Sequence, residues 1–200
     1  MANKIIIDVF KEKKAEEFTA ALASPESKAG SGSAAAYTAA MGNALIERVA
    51  KSCLEKEKEI ERLDYIVRNA EILRSYMVNL IDENIKAKRP ISRARKEGGA
   101  REIEASIQTA SCIEAEIVNM AKPALEFIEE LSAICAAEDK NTLLEAAELI
   151  MTSCRVSRSV ILSYAALSTD DTYRYVTRRE NEIFMAEREE LYASISSKLK

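Results

Sequence analysis

Three prolines and five glycines in 200 residues leave this chain few places to turn. Alanine, glutamate, leucine, isoleucine and lysine fill much of the rest, and most of these are strong helix formers. Apolar residues recur at three- and four-residue intervals over long stretches, the spacing of one helix face. The expected fold class is therefore all-α: a single-domain bundle of long, mostly antiparallel helices spanning residues 1–200, without an internal repeat.

The punctuation sets the expected helix boundaries. Ile5–Phe10 reads as a short extended piece, and a first helix runs over Lys13–Ala23 with Phe18 and Leu22 on one face. Ser24-Pro25 ends it, because a residue before proline avoids the α region. The second helix starts near Ser33 and reaches Leu54, with Tyr37, Met41, Leu45 and Val49 as its buried stripe. A third carries Leu63, Val67, Ala70, Leu73, Met77 and Leu80 and stops before Pro90. The polar, basic Ile91–Gly99 stretch reads as a mobile loop. A fourth helix holds Ile107, Ala110, Ile117 and Met120, and Pro123 opens a fifth at its first turn. Asp139–Thr142 and Ser168–Asp171 mark the turns that start the last two helices. The final one presents Tyr173, Val176, Ile183, Phe184, Leu191 and Ile195 on one side.

Against that background, Ala29–Ala36 stands out: Ala-Gly-Ser-Gly-Ser-Ala-Ala-Ala. Ser33 reads as an N-cap, followed by three alanines that add almost no bulk. The product is a glycine-rich coil feeding a helix N-terminus. Its unpaired N–H groups and positive dipole end suit an anion or a negatively polarised atom. A linker ahead of a tightly packed small-residue helix fits the same letters.

Composition excludes several functions. Charged residues make up 31% and hydrophobic residues 48%, so the chain folds rather than stays disordered. A net charge of −4 gives no electrostatic footprint for nucleic acid. There is no histidine, which removes the commonest metal ligand and the commonest neutral-pH base. Cys53, Cys112, Cys135 and Cys154 form no CxxC and sit among apolar residues, so buried thiols are expected rather than a metal site. Ile5–Ile7 is too short for a signal-peptide core and no segment approaches membrane-spanning length, so a cytoplasmic, non-membrane protein is expected.

The segment Leu22-Ala23-Ser24, then Gly30-Ser31-Gly32-Ser33-Ala34-Ala35-Ala36, with Gly42 in the following helix, resembles the cyclodeaminase domain of formiminotransferase-cyclodeaminase and the stand-alone methenyltetrahydrofolate cyclohydrolases of that family. Asp82 and Pro90 resemble the family's Asp and following proline, and Asn141 its asparagine before a late helix. Lys56 is similar to the family's Gly-Lys lysine, with Glu55 replacing the glycine. Ser31 replaces the middle glycine, Leu144-Glu145 the Ser-Asp, and Ser159 and Ser163 two asparagines.

The resemblance implies a helical homodimer that binds a tetrahydrofolate derivative as substrate, without metal or other cofactor. It implies ligand contacts at Gly30, Ser31, Gly32, Ser33 and Asn141. Proton transfer would fall to Asp82, Glu145 or Lys56, which as solvated surface charges would do nothing. Asp82 lies off its helix's apolar stripe, so only another segment could bury it. The basic run from Lys86 to Arg101 could hold the carboxylates of a folate glutamate tail. A helical dimer that binds a small molecule or regulates a partner without turnover fits the departures equally.

Overall fold

The computed structural model describes residues 9–55 and 60–199. The helices are α1 (Ala15–Ala23), α2 (Ser31–Leu54), α3 (Ile60–Glu97), α4 (Ala100–Ser132), α5 (Lys140–Leu167) and α6 (Asp171–Leu199). Single 3-10 turns precede α1, at Phe10–Glu12, and α5, at Ala137–Asp139. Among the described residues there is no strand, and no helix is long and apolar enough to cross a membrane. The expected extended piece Ile5–Phe10 lies mostly outside the described residues, and Phe10 itself opens the first 3-10 turn.

Two of the three prolines fail to end a helix. Pro90 lies inside α3 and Pro123 inside α4, so the expected Ile91–Gly99 loop is helical to Glu97 and the expected fifth helix is the second half of α4. A helix-interior proline costs about 3 kcal/mol. Beyond Pro123, Leu125 and Ile128 are fully buried and Phe127 nearly so. Burying each such side chain returns about 1.5–3 kcal/mol, so packing outweighs the break. Ile91 and Ala94 play the same part after Pro90, both 7% exposed. The real break is Gly98-Gly99. A Cβ at Gly98 would stand 2.9 Å from the Ala94 backbone, so only glycine permits this approach. Glu102 then accepts the Gly99 N–H at 3.0 Å and starts α4.

α2 is the central helix, lying along α3 and α5 and touching α4, while α6 packs on α5 and α4. Of its expected buried stripe only Val49 is fully buried. Met41 is 39% exposed, and Tyr37 and Leu45 are only half buried. The inward face carries Gly32, Ser33, Ala36, Ala39, Ala40, Gly42 and Asn43, then Ile46, Val49 and Cys53. Small residues let neighbouring helices approach closely, so here the compact side faces in and the bulky stripe faces out. α6 also departs from expectation: Val176 and Ile183 are exposed, whereas Thr177, Asn181, Met185 and Arg188 are buried. Arg188 is tolerated inside because its guanidinium donates to the Val118 and Phe184 carbonyls, each at 2.9 Å.

The main core joins Ile46 and Val49 of α2 to Leu63 and Ile66 of α3, Leu125 and Ile128 of α4, and Leu143 and Ile150 of α5. A second cluster, at the start of α2, gathers Phe10, Phe18, Ala29, Ala35 and Ala36 against Met77, Leu80, Ile81 and Ile85 of α3. None of the four cysteines is disulfide-bonded; Cys53 and Cys154 are buried as expected, but Cys112 is exposed and Cys135 half buried.

Candidate active site beneath the glycine turn

The first turn of α2 is built differently from the expected Ser33 cap. Gly30 is the N-cap, in an extended conformation, and no side chain caps the helix. Ser33 points inward instead, and its hydroxyl donates to the Ile81 carbonyl at 2.9 Å, pinning α2 to α3. Gly32 is buried between α3 and α4. A Cβ placed there would overlap the side chains of Glu114 and Asn84, so the missing methyl is what lets those groups reach the α2 backbone.

Glu114 is fully buried, and Asn84 is 1% exposed. Neither Glu114 oxygen has a hydrogen-bond partner, and neither does Asn84 Nδ2 or Ser157 Oγ. Four such atoms in one spot are a departure from normal interiors, where buried polar groups are paired. Burial pushes the Glu114 carboxyl up to about 7; the Lys88 charge and the facing Ser157 hydroxyl oppose this only in part. Glu114 Oε1 and the Asn84 amide crowd the same space beside Gly32, so the two polar groups face one another there.

Two further groups complete the cluster. Lys88 Nζ lies 3.7 Å from where a Gly30 Cβ would be, which sets a cation beside a helix N-terminus that is itself positive. Tyr164 is 8% exposed, and its phenol is pushed up to about 12, chiefly by burial and further by the Glu114 charge. A buried acid with a raised pKa, a positive end and several unpaired polar atoms thus converge under one glycine turn. Beyond Lys88, Lys86, Arg89, Arg93, Glu97 and Glu102 line an open cleft of about 600 Å³ at the α3–α4 corner.

The sequence model of the formiminotransferase-cyclodeaminase family matches residues 14–180. The chain belongs to that family. Its fold is similar to the crystal structure of formiminotetrahydrofolate cyclodeaminase from Thermotoga maritima, with a TM-score of 0.88 and 22% identity over 94% of this chain and 96% of that one. No curated protein matches it in sequence.

Within this cyclodeaminase-family fold, the sequence candidates fall into separate places. Gly30, Ser31, Gly32 and Ser33 form the glycine turn, with Ser31 on the outside. Asp82 sits on α3, 7% exposed, and accepts the Phe10 N–H at 2.7 Å. The segment that covers it is the N-terminal one. Asn141 and Glu145 are both exposed at the start of α5. There Ser52, near the end of α2, donates to Asp139 at 3.1 Å. Twenty residues of helix, about 30 Å, separate Ser52 from Gly32, so within one chain Asn141 and Glu145 do not join the turn. Lys56 lies outside the described residues.

Sequence reasoning missed Glu114 and Asn84, although a signal existed. Ile107, Ala110, Glu114, Ile117 and Ala121 follow three-four spacing, so Glu114 interrupts a buried stripe. Asn84 is the next step after Leu73, Met77 and Leu80. A polar residue on a core stripe is more informative than an acid beside one.

Proposed function

We propose that this protein is an enzyme of tetrahydrofolate one-carbon metabolism, a formiminotetrahydrofolate cyclodeaminase or a methenyltetrahydrofolate cyclohydrolase, with Glu114 as its proton carrier. The observation that carries this reading is the Glu114 carboxyl: fully buried under Gly32, facing the Ser157 hydroxyl and Asn84, and pushed up to about 7 by that burial. An acid and base of that strength works best at neutral pH, and this chain has no histidine to do it.

In the cyclodeaminase reaction one folate nitrogen attacks the carbon of the protonated, amidinium form of the formimino group and loses its proton, and once that proton reaches the other nitrogen ammonia leaves from the same carbon, giving the methenyl cation. Glu114 as carboxylate takes that proton and as acid returns it to the departing nitrogen, so one group serves both half-steps. In the cyclohydrolase direction the same carboxylate takes a proton from the water that adds to the methenyl carbon. Lys88 and the α2 N-terminal amides hold a negatively polarised oxygen of the ligand. Arg89 and Arg93, one turn apart on the cleft, receive the carboxylates of the glutamate tail. This division of labour leaves Asp82, already bonded to Phe10, outside the proton path.

The test is spectroscopic. Purified protein is mixed with formiminotetrahydrofolate, or with methenyltetrahydrofolate, and the near-ultraviolet band of the methenyl form is followed. Appearance or loss faster than buffer supports the assignment; no acceleration, with no folate binding by calorimetry, removes it. A second reading is favoured by the closure of both Glu114 oxygens from solvent: a bundle that binds folate without turnover. It predicts saturable heat with a flat absorbance trace.

The working unit we propose is a homodimer. Tyr65, Ile72 and Tyr76 expose 48%, 62% and 37% of their surface along one side of α3, a face suited to a second copy. Light scattering checks it: the wild type runs at twice the chain mass and Ile72→Glu at once, whereas equal masses for the two rule this face out.

A further inference from the structure

The segment leading into the glycine turn is lightly attached to the rest of the described bundle. α1 buries one side chain, Phe18, which packs against Tyr37 with ring centroids 5.2 Å apart. From Lys11 to Lys28 no other residue is buried. Ahead of α1, Phe10 is buried in the cluster that joins the start of α2 to Met77, Leu80 and Ile81 of α3, and its N–H donates to Asp82 Oδ1 at 2.7 Å. The exposed bond from Lys11 Nζ to Asn79 Oδ1 adds little. Behind α1, the chain rejoins the core at Ala29 and becomes Gly30, the N-cap of α2.

The seam beneath this segment is the one that holds the candidate site. Ile81, next to Asp82, accepts the Ser33 hydroxyl, and Asn84, two residues on, abuts Gly32. A segment with few buried contacts and exposed backbone opens at lower free energy than the core it lies on. Its end is Gly30, the turn that the folate reading sets against the ligand.

We propose that residues 10–29 form a lid over the α2–α3 seam, latched by the hydrogen bond from Phe10 N–H to the Asp82 carboxylate. Asp82 is then a positioning residue: it sets how often the glycine turn is open to a ligand and does not touch the reacting atoms. The bond is buried and charge-assisted, so losing it is felt strongly. An asparagine keeps an acceptor oxygen in the same place and keeps the latch; an alanine does not.

The experiment compares wild type, Asp82→Asn, Asp82→Ala and Phe10→Ala. The first readout is trypsin cleavage after Lys11, Lys13 and Lys14 of the folded protein, with hydrogen exchange of the Phe10 amide. Asp82→Ala, which removes the acceptor, and Phe10→Ala, which removes the buried ring that holds the N–H in place, should each speed both about tenfold or more, and Asp82→Asn, which keeps a neutral acceptor, by clearly less than Asp82→Ala. Cleavage and exchange unchanged in Asp82→Ala overturn the latch.

The second readout rests on the folate reading: KM and kcat in the absorbance assay. The lid predicts that Asp82→Ala shifts KM while kcat holds, and that Asp82→Asn restores KM. A kcat lost equally in Asp82→Asn and Asp82→Ala places Asp82 in the chemistry and overturns the positioning role. Should the folate reading itself fail, the protease and exchange results still decide the latch.

Discussion

Glu114 on α4 reaches the backbone of α2 only because residue 32 is glycine. That contact ties the most unusual feature of the sequence to the most unusual titratable group of the structure. It also makes the glycine turn part of the site in a sense that dipole arguments alone do not give.

Gly32→Ala tests the contact. The added methyl would overlap Glu114 and Asn84, and both are too buried to swing away. Overpacking of this kind costs about 1–3 kcal/mol. Urea unfolding should show that loss, whereas Gly30→Ala, where the nearest atom is 3.7 Å away at the end of Lys88, should be close to neutral.

Stability should fall with pH through the Glu114 titration. Its folded pKa, about 7, is raised above the ordinary 4.5. The native state therefore binds more protons than the unfolded state between those values, and rising pH removes that advantage. The loss from pH 4.5 to above 7 is at most about 3 kcal/mol. Glu114→Gln has no charge to bury, so its stability curve should be flatter and should cross above wild type at pH 8. Parallel curves for the two proteins would mean that Glu114 ionises like a surface acid.

Arg93→Ala should raise KM for a folate carrying a glutamate tail several-fold and leave kcat near wild type. The effect should shrink as salt is added, because the cleft is open to solvent. A change in kcat instead would move the cleft from tail binding to the chemistry.

Fold class was legible because it rests on what the chain lacks: with so few helix breakers and such long three-four stripes, a bundle is the outcome. Helix boundaries were less so. Pro90 looks like a stop and Pro123 like a start, but a local rule worth about 3 kcal/mol yields to the burial of several large side chains, which only the assembled fold reveals. The face of α2 was misread for a related reason. Tyr37, Met41 and Leu45 are the hydrophobic choice, but the central helix of a tight bundle buries its smallest side, Ala36, Ala39 and Gly42.

Parts of the candidate site stood out in the sequence. Gly30–Ser33 was found by composition, and Asp82 was found as an acid, with its burial hanging on a cover that proved to be Phe10. Glu114 was passed over because a lone acid in a charged helix reads as surface. Its position on the Ile107–Ile117 stripe was the clue, and the depth of burial follows only from the close approach of Gly32.

The most direct measurement is the pH profile of turnover for wild type and Glu114→Gln, read from the methenyl absorbance with formiminotetrahydrofolate and with methenyltetrahydrofolate. The account predicts turnover in the wild type governed by a group titrating near pH 7, and a drop of about 10²–10⁴ in kcat for Glu114→Gln with folate still bound. Full activity in Glu114→Gln, with the wild-type pH profile intact, would contradict it.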